Sequence, residues 1–337
     1  MRTPALLVLG VAVGLSACTD AGPGPGTGGD GNGAEEAEAL RLGRVHVVLS
    51  TPGADNADAP DAPDAPDALD ATDRHGFELT ARFAVVRGLE EEFVRARADM
   101  PDLLEDLLNP GQCATESALW PSELAPNQTN QADFTATELG RELLLVDVGE
   151  LEVQLGEARL SVPLTLVPDL LPYMSGVEYA YFADSPVQPE MNDPETVTVI
   201  AAGGLTDELP AFTVASPMPG ALGLTYTPED LASLGGAGGG ALVVRWDTKG
   251  DDNDTVGLRL TPMLSGEPLG DDIVCLVADR GQTRLDLTEL RTLGFAPDAD
   301  TVRIEASRSR TSLFDVGAWV GTELVVERRD TAELPLR

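Results

Sequence analysis

The sequence predicts an antiparallel β-sandwich, immunoglobulin-like or related, with short helical segments and a flexible N-terminal tether. Three observations predict it. Short stretches in which apolar and polar residues alternate recur along most of the 337-residue chain, and such alternation marks strands buried on one face. Gly, Pro and Asp punctuate these stretches at roughly the 8–14 residue spacing of sandwiches and barrels, rather than that of a βαβ fold. Helical signals are confined to short segments at 90–98, 102–108 and 286–294.

The chain opens MRTPALLVLGVAVGLSACTD. Arg2 supplies a positive start, and the apolar stretch from Ala5 to Leu15 has the length of a signal-peptide core, too short to span a bilayer. Leu15, Ser16, Ala17 and Cys18 then resemble the lipobox of bacterial lipoproteins. That resemblance implies lipidation of Cys18 and cleavage before it, so 1–17 reads as a signal peptide. Two or more acyl chains hold a protein durably at a membrane where one does not. Thr19 after the cysteine favours export to the outer membrane, with Asp20 pulling the other way.

From 18 to 42 the composition is that of a flexible tether, rich in Gly, Pro, Asp, Ala and Glu. At 44–50, Val45, Val47 and Leu49 alternate with His46, Val48 and Ser50, a short strand. An acidic Ala-Pro-Asp repeat, DAPDAPDAPDALDATD, fills most of 51–74. Its prolines and mutually repelling carboxylates predict a solvated, semi-stiff loop. A strand follows at 77–86, with Phe77, Leu79, Ala81, Phe83 and Val85 on one face. Residues 110–131 read as a long loop holding Cys113 and Trp120.

The remaining strands are expected at 143–155, 158–167, 177–182, 196–201, 212–215, 222–226, 241–246, 255–260, 273–277, 284–287, 301–307 and 322–327. The helical segment at 286–294 has Asp286 or Thr288 as N-cap and Gly294 as stop. These elements divide the chain into an N-terminal β-containing segment, 43–140, and a sandwich domain, 141–337. Whether the two form one body is left open by the pattern.

The later part also resembles acidic bacterial lipoproteins of the myxobacterial type. The matching stretches are Val148-Gly149-Glu150-Leu151, Ala202-Gly203-Gly204, Pro210-Ala211-Phe212 and Val244-Arg245-Trp246, with a strand around Cys275 followed by Gly281. The resemblance implies a β-sandwich ectodomain on a lipid tether and carries over no catalytic residue.

Composition excludes some partners. Asp and Glu number 57 against 22 Lys and Arg, a formal net charge of −35. Nucleic-acid binders need a basic footprint, and docking on anionic headgroups needs polybasic segments. With Cys18 committed to lipid, Cys113 and Cys275 are left either to pair in an oxidising compartment or to remain two buried thiols. A bridge over that span contributes about 4–5 kcal/mol through chain entropy, strain aside.

The strongest candidate site is the loop Trp246-Asp247-Thr248-Lys249-Gly250-Asp251-Asp252-Asn253-Asp254. If its flanking strands form a hairpin, the turn at Asp279 lies beside it. Asp247, Asp251, Asp252, Asp254 and Asp279 are then candidate Ca²⁺ ligands, since calcium takes converging oxygens; a plain polar turn is the alternative. Tyr179 and Tyr181 share a strand face, suiting cross-strand packing or sugar stacking. The stretch LGGAGGGA at 234–241 lacks the Gly-Lys-Ser/Thr of a P-loop. No G-x-S-x-G, H-E-x-x-H or Cys/His metal spacing is present.

These readings combine into an expected function: a lipid-anchored outer-membrane lipoprotein, periplasmic or surface-facing, with a non-catalytic binding or structural sandwich. The expected partners are the membrane, through the lipid, and an envelope protein or glycan. No cofactor is required unless the aspartates bind Ca²⁺, as in a calcium-dependent adhesion or carbohydrate-binding module. A carboxylate-based hydrolase is a third alternative.

Overall fold

Alternation is longest near the C-terminus, and it builds the middle of the molecule. In β16 (Thr301–Val316), Val302, Ile304 and Ala306 are buried while Arg303, Glu305 and Ser307 face the other way. A two-residue turn, Gly317-Ala318, returns the chain as β17 (Trp319–Pro335). Gly317 has φ +59°. A type II′ hairpin turn needs that left-handed value at its first central position, and glycine adopts it without steric cost. The pairing runs from Val316↔Trp319 to Thr301↔Pro335. The computed structural model describes residues 39–51, 76–120, 142–171, 174–183, 194–205, 208–226, 240–248 and 254–336.

Around this hairpin an 11-stranded sheet assembles. On one side β1 (Leu40–Thr51) runs parallel to β17, with Arg44 opposite Glu323, and β2 (Phe77–Arg87) is antiparallel to β1. Beyond them lie β4 (Glu142–Leu145), β8 (Met174–Phe182) and, at the edge, β7 (Leu164–Leu171). On the other side β12 (Thr255–Leu264) pairs with β16, and β14 (Ile273–Ala278) with β12. The four-residue β3 (Gln112–Thr115) closes that edge, and β13 (Glu267–Pro268) adds a short hairpin to β12. The described parts of 43–140 and 141–337 therefore share one sheet. β1 and β2 lie inside the large sheet, and the described chain belongs to one compact unit, Ala37–Arg337.

Two smaller layers cover one face of this sheet and complete the β-sandwich. β10 (Phe212–Pro217), β9 (Thr196–Ala201), β5 (Leu151–Leu155) and β6 (Ala158–Val162) form a four-stranded sheet. Its Leu151, Val153, Val197 and Val199 share a core with Val45, Val47, Phe83, Leu324 and Trp319. Alongside, β11 (Ala241–Arg245), β15 (Gln282–Asp286) and a helix, α4 (Leu287–Thr292), enclose a second core with Leu258, Leu260, Cys275 and Ile304. The Asp286 carboxylate caps α4 by accepting from the Thr288 N–H at 2.6 Å, a contact that also holds it below the usual carboxylate range.

Between the two cores, on the same face, lies a buried polar belt. Arg308 and Arg328 stand opposite each other in the β16–β17 register, and Asp330 is opposite Ala306. Arg308 is 1% exposed. Its Nη2 meets Asp279 Oδ2 at 2.6 Å, and its guanidinium donates to the Gly220 and Asp247 carbonyls at 2.7 and 3.1 Å. Trp246 Nε1 donates to the other Asp279 oxygen at 2.7 Å. The Gly223 N–H donates to Asp330 at 2.5 Å.

Several expected strands end sooner or break, each for a local reason. The stretch 143–155 divides into β4 and β5 because the chain turns at 146–150 around the Tyr179 hydroxyl. That hydroxyl donates to Asp147 Oδ1 at 2.7 Å and accepts from the Val148 N–H at 3.0 Å. The stretch 158–167 divides at Pro163, which lacks an N–H. Only Thr225 of 222–226 makes a bridge, to Arg245. The glycines of the resembling stretches meet at one corner. Gly149 (φ +78°) and Gly203 (φ +90°) are so close that a Cβ on Gly149 falls 2.3 Å from the Gly203 carbonyl oxygen. Ala202 and Gly203 donate to the Glu150 and Val148 carbonyls at 2.9 Å. Those stretches therefore shape a turn.

Candidate ligand-binding cleft

Side chains alternate across a strand, so the residues between the core positions face outward on the uncovered side of the large sheet. There β1 contributes Arg44 and His46, β2 contributes Arg82, β16 contributes Glu305 and β17 contributes Glu327 and Arg329. The segment leaving β2 crosses above them. It contains α1 (Glu91–Arg97), α2 (Leu104–Leu107), β3 and α3 (Glu116–Leu119). Val94, Ala98 and Met100 anchor its start in a third core with Leu42, Ala84, Val86, Leu143 and Leu145.

Polar contacts and a covalent bond hold this strap over the sheet. Arg44 reaches the Pro101 carbonyl and pairs with Glu323 at 2.5 Å. Arg82 pairs with Asp99 at 2.7 Å and with Glu178 at 2.9 Å. Ser309 donates to Glu105 at 2.6 Å, and within the strap itself Trp120 Nε1 donates to the Asp102 carbonyl at 3.3 Å. Farther along, Cys113 of β3 and Cys275 of β14 are opposite each other in the register and joined as a disulfide, S–S 2.06 Å. Strap and sheet border a half-open cleft of about 190 Å³.

The floor of the cavity is a row in which an imidazole, a carboxylate, a guanidinium and a second carboxylate follow one another. His46 Nε2 lies 3.0 Å from Glu327, Glu327 lies 3.0 Å from Arg329, and Arg329 lies 3.3 Å from Glu305. Burial pushes the Glu327 carboxyl up, but the His46 hydrogen bond and the charge and hydrogen bonds of Arg329 outweigh it and leave it at about 2. Burial dominates at Glu305 and raises it, against the opposing charges of Arg329 and Arg259. Arg329, between two carboxylates, is raised despite its own burial.

Two carboxylates with pKa values driven apart can form an acid–base pair. Here both project from the same wall and share one guanidinium. Glycoside hydrolysis requires its carboxylates to flank the scissile bond. The row is therefore suited to hydrogen-bonding a polar ligand, and Trp120 at the cavity wall supplies an apolar surface beside it.

Glu327 gives this row a pH signature. Its folded pKa lies below the ordinary value of 4.5, so its contribution is complete above about pH 5 and disappears as pH falls toward about 2. That contribution is on the order of 3 kcal/mol. Urea unfolding of the wild type and Glu327→Gln should differ most above about pH 5 and converge as pH falls toward about 2.

The aspartates singled out in the sequence meet a different fate. The turns do adjoin, the Asp279 N–H donating to the Asp254 carbonyl at 3.0 Å. The assignment of Asp279 as a calcium ligand is corrected: its carboxylate is buried against Arg308 and Trp246. Asp254 pairs with Arg310 at 3.2 Å, and Asp247 accepts from Arg308 through its carbonyl. Among the described residues no group of three His, Cys, Asp or Glu side chains is placed to hold a metal ion. Asp251 and Asp252 lie outside the described residues, as do Cys18, the tether up to residue 38, the Ala-Pro-Asp repeat and residues 234–239. Thermal melting is expected to show no rise in Tm at millimolar Ca²⁺, because Asp254 and Asp279 already have arginine partners.

Tyr179 and Tyr181 pack within the fold. Tyr179 is 2% exposed, and burial together with Asp147 pushes its phenol up. Tyr181 lies tilted against Phe77 with ring centroids 5.8 Å apart. No protein-family model matches the chain, and no curated protein matches it.

Proposed function

We propose that the chain is a lipid-anchored outer-membrane lipoprotein whose β-sandwich is a non-catalytic binding module, with the strap-covered cleft as its ligand surface. The anchor reading rests on Leu15-Ser16-Ala17-Cys18 behind an apolar leader. The single observation supporting a binding role is the His46–Glu327–Arg329–Glu305 row beneath the strap. It presents donors and acceptors side by side within the cleft, with Arg329 held between two carboxylates. The ligand class that suits it is a polar envelope glycan fragment, hydrogen-bonded by the row and stacked on Trp120.

Calorimetric titration of the full mature chain with soluble envelope-glycan fragments tests this reading. Saturable binding that weakens at least tenfold in Arg329→Gln and Trp120→Ala, with the fragments recovered chemically unchanged, is the expected result. Equal affinity in both variants contradicts the cleft assignment. Cleaved fragments contradict the non-catalytic role and restore the carboxylate hydrolase.

A further inference from the structure

We propose that the end of the sandwich formed by the β16–β17 turn rests on a zwitterionic lipid surface, giving the body a second membrane contact beside the acylated cysteine. This inference builds on the lipoprotein reading.

Among the described residues, the four large apolar side chains more than two-thirds exposed are Leu205 (98%), Val320 (75%), Leu166 (73%) and Leu313 (70%). Isolated exposed apolar residues are ordinary, whereas a group at one end of a molecule marks an interaction surface. Val320 is the second residue of β17, immediately after the turn, and Leu313 pairs with Glu323 only a few residues away. Leu205 belongs to the neighbouring loop. That loop touches the turn through Pro210, which adjoins Gly317, and through the Glu208 carbonyl, which accepts from Trp319 Nε1 at 2.9 Å. Leu166 pairs with Val177 on β8. Tyr179, two residues further, is opposite Ala81, and Ala81 is opposite Val45. Leu166 therefore lies near the level of Gly43 and Thr322, toward the same end.

Of the less exposed members of the set, Leu164 (43%) lies two residues before Leu166 on β7, whereas Phe182 and Leu264 lie away from this end. Phe182 is opposite Glu78, which is opposite Val48 and hence level with Glu327. Leu264 sits at the β12–β13 turn, beside the start of β16 at the far end of the hairpin.

The point where the tether enters the body selects the occupant. β1 is parallel to β17 with Arg44 opposite Glu323, so the first residue of β1, Leu40, is level with Trp319 at the turn. The chain that carries Cys18 thus joins the body at the end where the apolar side chains are exposed. From Cys18 to Leu40 the backbone spans at most about 75 Å, and no part of it need pass along the sandwich for this end to meet the bilayer. The formal net charge of −35, with Asp315 and Glu323 beside the turn, disfavours anionic headgroups and leaves a zwitterionic surface as the match.

The test uses the full lipidated chain reconstituted in vesicles of zwitterionic phospholipid with brominated acyl chains. A Val320→Trp variant adds a fluorophore at an exposed position where no packing is lost, and Leu264→Trp is the far-end control. The expected result is a blue-shifted, bromine-quenched emission from Val320→Trp, none from Leu264→Trp, and weaker quenching when phosphatidylglycerol is added. Unquenched emission from Val320→Trp, with an N-terminal mass that shows acylated Cys18, overturns this proposal alone. A blue shift without vesicles that grows with protein concentration overturns it in favour of a second copy of the chain. Stronger quenching with phosphatidylglycerol overturns the zwitterionic assignment. An N-terminus without acyl groups overturns the lipoprotein reading and this inference with it.

Discussion

Replacing Asp279 with Ala is expected to lower the unfolding free energy by about 3–5 kcal/mol, because it leaves a buried guanidinium without its counter-charge. Arg308 and Asp279 are each 1% exposed at the side chain, so water cannot readily replace the lost carboxylate. The Trp246 indole loses its acceptor as well, adding a second unsatisfied group. A double variant, Arg308→Met with Asp279→Leu, should recover most of the loss, since removing both charges also removes the desolvation cost. Urea unfolding checks both. A single variant within about 0.5 kcal/mol of wild type would show that the pair is hydrated. The belt separates two apolar cores on one sheet, and its charged residues tie β16 to the loops above it.

The second large effect is expected from the disulfide. Cys113 and Cys275 close a span of 162 residues, and opening such a loop costs up to about 5 kcal/mol of denatured-state entropy. The Cys113→Ala/Cys275→Ala double variant should therefore unfold at clearly lower urea concentration. β3 has only four residues at a sheet edge, so the strap should loosen before the rest of the body. Hydrogen exchange in 104–119 should speed up well before exchange in β16 and β17 does. Unchanged exchange in the strap would mean that the Arg44, Arg82 and Ser309 contacts suffice to hold it.

These two effects show where local pattern is informative and where it is not. Alternation located β9 and the first half of β2, because a strand with one buried face writes its burial into every second residue, whereas β14 is an apolar run buried on both faces. Alternation could not pair β1 with β17, since nothing local to residues near 45 refers to residues near 324. It understated β16 and β17 because their later positions are polar on both faces, and in β17 charged on both. Glu327-Arg328-Arg329-Asp330 is the clearest case. Glu327 and Arg329 face the cleft, while Arg328 and Asp330 enter the belt. A strand with charges at four successive positions cannot have a plain solvent face and a plain apolar face, and that signal points to both features. Asp279 was misassigned for a related reason: a loop carboxylate reads the same whether it faces solvent or a buried arginine. In a chain with 57 acidic residues, the scarcer arginines are the better guide. Arg44, Arg82, Arg308 and Arg329 are where carboxylates are organised.

We propose above all that this sandwich works from a membrane, held by lipid on Cys18. Intact-mass measurement of the mature protein recovered from the outer-membrane fraction tests it most directly. The expected result is a chain beginning at Cys18 and carrying the mass of its acyl groups, with Cys18→Ala leaving the protein uncleaved at that site and unacylated. A mature chain that begins elsewhere, or that begins at an unmodified Cys18, contradicts it.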